Sequence, residues 1–107
     1  MLGQEHPDTL NSIANLASTY WNQGRWKEAE DLEVLVVETR KRVLGQEHPD
    51  TLTSMVNLSF TWKQFGRLEE AIKLLDECVI LRSQVLGVNH PYTMSSSAAL
   101  SKWRTGS

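Results

Sequence analysis

Three histidines recur in one local setting, as Glu5-His6-Pro7-Asp8, Glu47-His48-Pro49-Asp50 and Asn89-His90-Pro91-Tyr92. Imidazole beside carboxylate is the raw material of a metal centre or an acid–base pair, and the single thiol, Cys78, could act as a nucleophile. Their spacing argues against all three. The histidines at 6, 48 and 90 and the prolines at 7, 49 and 91 are each 42 residues apart. Metal ligands must converge to within about 2 Å of the ion, whereas equivalent positions in successive helical repeats are displaced by two helix diameters of about 10 Å each. The motif is better read as a helix start. Proline suits the first turn because its missing N–H would have had no intrahelical acceptor, and Asp8 or Asp50 complements the positive end of the helix dipole. Cys78 has Val36 as its equivalent, on an apolar stripe, so a buried and inert thiol is expected. No Walker-type loop, G-x-S-x-G or H-E-x-x-H occurs. The sequence therefore indicates no catalytic residue, no cofactor and no metal, and a protein that is not an enzyme.

The elements that place these residues follow from the repeat. Glycines fall at 3, 24, 45, 66 and 87, every 21 residues. Shifting the sequence by 42 superposes 2–43 on 44–85 with 21 of 42 positions identical, and a third copy opens at Leu86 and stops partway. Within the chain's 107 residues there are thus repeat 1 at 2–43, repeat 2 at 44–85 and a half repeat at 86–105. Composition is that of an ordinary soluble globular chain, neither disordered nor fibrous: 40% hydrophobic, 22% charged, net charge −2. That charge offers no basic field for a phosphate backbone, so nucleic acid is not an expected partner, and no apolar run is long enough to suggest a membrane. One cysteine and no charged-then-apolar leader suggest a reducing, cytoplasmic setting.

Each repeat holds two helix-period segments. Leu10, Ile13, Leu16, Ala17 and Tyr20 form one apolar face, copied as Leu52, Met55, Leu58, Ser59 and Trp62. The second segment carries Trp26, Ala29, Leu32, Val36 and Val43, copied as Leu68, Ala71, Leu74, Cys78 and Val85. Leu35, Val37, Leu75, Val79 and Leu81 widen it, so this helix needs neighbours on two sides. Trp26 and Trp62 are expected as core anchors, and Arg40-Lys41-Arg42 as a solvated basic run complementing the last turn. Gly24 and Gly66 turn the chain within a repeat; Gly3, Gly45 and Gly87 mark the handover between repeats, with Met1-Leu2-Gly3 as the end of an upstream helix. In the half repeat the core equivalents are Met94, Ser97, Leu100, Ser101 and Arg104, three of them polar, which suits a solvating C-terminal cap.

The run Gln-Gly-Arg-Trp-Lys-Glu-Ala-Glu at 23–30, preceded by Asn15-Leu16-Ala17 and Tyr20, resembles the tetratricopeptide repeat, and Phe-Gly-Arg-Leu-Glu-Glu-Ala-Ile at 65–72 fits equally. The 42-residue period with its Leu-Gly-x-x-His-Pro-x-Thr junction is similar to the long variant of kinesin light chains and of the C-terminal arrays of fungal NACHT or NB-ARC receptor-type proteins. The resemblance implies an all-α, right-handed solenoid of antiparallel helix pairs, five helices in two and a half repeats, whose first helices line a concave groove for a peptide or partner helix.

The helical wheel marks the same surface. Opposite the apolar face of the first helix lie Asn11, Asn15, Ser18 and Asn22, with Trp21 on the flank; the copy is Thr53, Asn57, Phe60 and Gln64, flanked by Val56 and Lys63, and the half repeat contributes Ser95, Ala99 and Lys102. Asparagine can donate to and accept from an extended backbone while Phe60 or Trp21 holds a side chain. Taken singly, each of these residues is equally well the wet side of an amphipathic helix; exposed aromatics tip the reading toward a site. Ala14 and Val56 stand where carboxylate-clamping grooves carry lysine, and Lys63 alone gives clear positive charge, so neither chaperone tails nor acidic cargo peptides are expected ligands. The expected function is protein–protein interaction through this groove. The alternative is a structural segment of a receptor or scaffold array, which stacks end to end or forms a homodimer through its exposed solenoid ends.

Overall fold

Proline at the start, glycine at the end and an apolar residue every three or four positions produce helices of matched length. The computed structural model describes residues 7–106, with side chains from Thr9 onward. It contains α1 (Pro7–Asn22), α2 (Trp26–Leu44), α3 (Pro49–Gln64), α4 (Leu68–Leu86) and α5 (Pro91–Thr105), with no strand among the described residues. α1 and α3 are both 16 residues long and α2 and α4 both 19, each pair offset by one repeat. The fold is all-α, as the periodicity requires. No described helix is long and apolar enough to cross a membrane.

The histidine motif does start helices. Nδ1 of His48 accepts from the Asp50 amide, and Nδ1 of His90 from the Tyr92 amide, each at 3.1 Å. Imidazole thus takes the N-cap role more often filled by Ser, Asp or Asn, and proline follows it at the first helical position. His6 and Met1-Leu2-Gly3 lie outside the described residues. Inside the repeats the chain reverses at Gly24 and Gly66 with φ of +78° and +80°, a conformation that any side chain would strain. The arginine after each glycine clips the reversal. Arg25 lies 4.2 Å from the Tyr20 ring centroid and pairs with Glu28; Arg67 lies 5.0 Å from the Trp62 ring centroid and pairs with Glu70.

The chain divides into two compact units, Met1–Ser54 and Met55–Ser107, with the boundary inside α3. In the first, α1 packs on α2. Leu10 and Ala17 of α1 and Ala29, Val36 and Val37 of α2 are buried there. In the second, α5 packs on α4, around a core of Ala71, Leu75, Leu100 and Trp103 with Val56, Trp62, Ile72, Val79 and Ala99 against it.

Several expected core positions are exposed instead. Trp26 is 42% exposed: it is the first residue of α2, its indole Nε1 donates to the Trp21 carbonyl at 3.2 Å, and its ring rests on Trp21 rather than in the core. Leu16 is exposed because α1 meets α2 along the Leu10–Ala17 line, one residue's rotation of about 100° away. Val43, Leu68 and Val85 are exposed as well, lying in the first or last turn of their helices.

The basic run at the end of α2 also needs correction. Arg40 is buried, not solvated. Its guanidinium donates to Ser54 Oγ (2.5 Å), the Asp50 carbonyl (3.3 Å) and Asn11 Oδ1 (2.9 Å). Arg82 does the same in the second unit, donating to Ser96 Oγ (2.6 Å) and the Tyr92 carbonyl (3.2 Å). In each unit an arginine near the end of the second helix latches the first turns of the next. A guanidinium reaches several acceptors at once, which an ammonium cannot match.

Cys78 is fully buried in α4, as expected for the equivalent of Val36. Burial pushes its pKa up to about 11, although the nearby Arg82 charge acts the other way. An unfolded thiol ionises near pH 8.5. Below pH 8 the thiol is neutral in both states and contributes no pH dependence; between about pH 9 and 11 only the unfolded chain ionises, so stability should fall. Cys78→Val should flatten the chain's stability over that range, measured by urea unfolding, and the native thiol should resist thiol reagents at pH 8 until the chain unfolds. Rapid labelling of folded protein would contradict this.

Candidate protein-interaction surface

In the second unit, α3 carries Asn57, Phe60, Lys63 and Gln64, all exposed, with Val56 half-buried beside them against the core. Phe60 is 46% exposed, yet its position is fixed: its ring meets Trp103 of α5 edge-on, with centroids 4.9 Å apart and planes at 72°. Trp103 itself belongs to the core, so Phe60 is an aromatic ledge mounted on buried structure. Lys63 Nζ stands 5.8 Å from the Trp103 ring centroid, and Lys102 of α5 is exposed. The side-chain amide of Asn57 has no hydrogen-bond partner among the described residues, whereas its carbonyl accepts from Thr61 Oγ1 at 3.2 Å. The surface therefore offers an apolar shelf, free amide donors and acceptors, and positive charge at its edge.

In the first unit, Asn11, Asn15, Ser18 and Asn22 share the exposed side of α1. Asn11 is already engaged by Arg40, so part of its role is structural. Trp21 is half-buried, with its ring centroid 5.8 Å from that of Trp26, and Thr53 is exposed on α3. Among the described residues no cluster of three or more His, Cys, Asp or Glu side chains could hold a metal ion.

Sequence reasoning missed the two arginine latches and the imidazole caps. The signal was present: Arg40 and Arg82 are identical in two repeats that differ at half their positions, and Ser54 and Ser96 occupy equivalent sites.

A family model described as tetratricopeptide repeat matches residues 9–50 and 51–92. The chain belongs to the tetratricopeptide repeat family. Its two matched repeats have the 42-residue length read from the sequence, framed seven residues later than the 2–43 and 44–85 division. Among solved structures, the chain is similar to a Podosopora anserina protein assigned as a kinesin light chain with nearly identical TPR-like repeats. The TM-score is 0.88 and the identity 32% over 96% of this chain and 49% of that one. A single-substitution variant of the same protein matches equally, with 32% identity, the same coverage of both chains and a TM-score of 0.88. The chain thus spans about half the length of these solved relatives. No curated protein matches it. Tetratricopeptide repeats are protein-interaction modules in general, and the kinesin-light-chain-like type is a scaffold rather than a catalytic fold.

Proposed function

We propose that this chain binds a peptide or partner helix along the exposed faces of its first helices, with the α3 surface of the second unit as the principal anchor. The observation that carries this reading is Phe60, a large aromatic held in place by Trp103 yet left 46% exposed. A half-exposed phenyl ring supported from below gains by covering its outer face, and it loses little entropy on binding because its position is already fixed. Asn57, one turn of helix earlier, supplies the donor and acceptor that an extended backbone or a helix end needs beside an apolar anchor. On α1, Asn15, Ser18, Trp21 and Asn22 offer a second, more polar strip at the equivalent positions of the preceding repeat. The setting is a reducing one such as the cytoplasm, in keeping with a single buried thiol.

A random peptide library selected on the wild-type chain tests this. Selected peptides should carry an apolar residue, and Phe60→Ala or Asn57→Ala should weaken their binding about tenfold or more, the loss typical of a central anchor. The helical circular dichroism should not change, because both side chains are exposed. Peptides that bind both variants as tightly as the wild type would place the site elsewhere.

A further inference from the structure

Two histidines do more than start helices. His48 Nδ1 accepts from the Asp50 amide and His90 Nδ1 from the Tyr92 amide, each at 3.1 Å. The same two residues are held at their other end: the Asp50 carbonyl accepts from Arg40 at 3.3 Å, and the Tyr92 carbonyl from Arg82 at 3.2 Å. Imidazole and guanidinium thus grip one residue from both sides, at the start of α3 and again at the start of α5. The two grips differ in chemistry. A guanidinium keeps its charge, whereas a ring nitrogen accepts only while it carries no proton, so each capping ring must hold its single proton on Nε2. A second proton, on Nδ1, turns the acceptor into a donor facing the amide N–H and sets a cation at the positive end of the helix dipole.

The two rings have unequal surroundings. His48 has Glu47 beside it in the chain and Asp50 in the same turn; α2 brings Arg40 to that turn, and Asn11 of α1, which bonds to Arg40, is uncharged. His90 has Asn89 and Tyr92 at the corresponding positions. Its ring centroid lies 5.1 Å from that of Tyr92, and the charge that α4 brings to this turn is Arg82, 5.4 Å from the Tyr92 ring centroid. An imidazolium at position 48 therefore has carboxylates to offset it, while one at position 90 meets a guanidinium and a dipole end of its own sign.

We propose that the imidazole caps make both helix starts acid-sensitive joints: protonation of His48 and His90 loosens the first turns of α3 and α5, and the loosening is the larger at α5. Neutral rings cap and protonated rings do not, so the joints are closed above the range in which imidazole ordinarily titrates, about pH 5–8, and loosen as pH falls through it. Side-chain carboxylates ordinarily take up protons only near about pH 4, below that range. The device does not depend on the Phe60 surface.

Nuclear magnetic resonance on the whole chain tests this. At about pH 7.5 the nitrogen shifts of the His48 and His90 rings should report the Nε2–H tautomer. Between about pH 7.5 and about pH 5.5 the protection of the Tyr92 amide against exchange, corrected for the intrinsic pH dependence of exchange, should fall about fivefold or more, the loss that removing one helix cap produces. That of the Asp50 amide should fall by less. Asparagine caps through a side-chain oxygen that takes no proton in this range, so His48→Asn and His90→Asn should each abolish the fall at its own helix start and leave the other unchanged. An Nδ1–H tautomer at either ring, protection that is the same at both pH values, a fall confined to α3, or a fall that persists in the asparagine variants overturns the proposal.

Discussion

Trp103→Ala is expected to cost about 3–5 kcal/mol, the range for truncating a buried aromatic, in a domain whose whole stability is about 5–15 kcal/mol. Trp103 is 5% exposed and closes the core of the second unit against Ala71, Leu75 and Leu100. Those neighbours sit on helices that cannot collapse into the gap without losing other contacts, so most of the cavity should persist. The loss extends to Phe60, whose edge-on contact and fixed position depend on the indole, and to Lys63 beside it. The variant should therefore show a lower urea midpoint, fast amide exchange throughout α5, and weakened peptide binding. Trp103→Phe, which keeps most of the volume, should recover more than half of the stability. A loss below about 1 kcal/mol would mean that the second unit does not rely on this core.

The second large effect belongs to Arg82. Arg82→Ala removes two hydrogen bonds from a charged donor and leaves Ser96 Oγ and the Tyr92 carbonyl to find other partners in a site that is largely closed to water. The expected cost is about 2–3 kcal/mol, from the lost bonds and the unsatisfied groups together. Its guanidinium also lies 5.4 Å from the Tyr92 ring centroid, a contact that alanine likewise forfeits. Lysine should rescue only in part, because one ammonium on a flexible stem cannot hold the hydroxyl and the carbonyl in the geometry of a planar fork. Urea unfolding followed by circular dichroism reads the change. An Arg82→Ala chain as stable as the wild type would show that the latch is incidental. Arg40→Ala should behave similarly in the first unit, with the added release of Asn11.

Both arginines bear on how a repeat array is held together. A leucine stripe specifies that two helices meet but leaves their relative turn loosely defined, because dispersion contacts have little direction. A buried guanidinium bonded to one hydroxyl and one carbonyl fixes the start of the following helix in a single orientation. The imidazole cap acts at the same place, satisfying the amide of the second residue after it. Cap, proline and arginine latch all converge on the handover between repeats, which explains why identity between the copies is densest around the Leu-Gly-Gln-Glu-His-Pro-Asp-Thr-Leu run.

The sequence by itself determined the period, the helix count, the glycine reversals and the family, because each depends on local rules: proline and histidine at a helix start, positive φ at Gly24 and Gly66, apolar residues at helical spacing. It also placed Phe60, Asn57 and Lys63 on a water-facing side, since the side of a helix follows directly from residue spacing. Only the tertiary structure decided which apolar residues are covered. Trp26 and Leu16 read as core by their period, yet each is exposed, because burial depends on where a neighbouring helix lies and not on the spacing within one. The fate of Arg40 was decided in the same way: three basic residues in a row look like a solvated last turn until the next helix brings Ser54 and the Asp50 carbonyl within hydrogen-bonding distance of one of them. Periodicity is a property of a single helix, whereas a buried polar contact exists only between two, and that is the physical limit of what the bare sequence could reveal here.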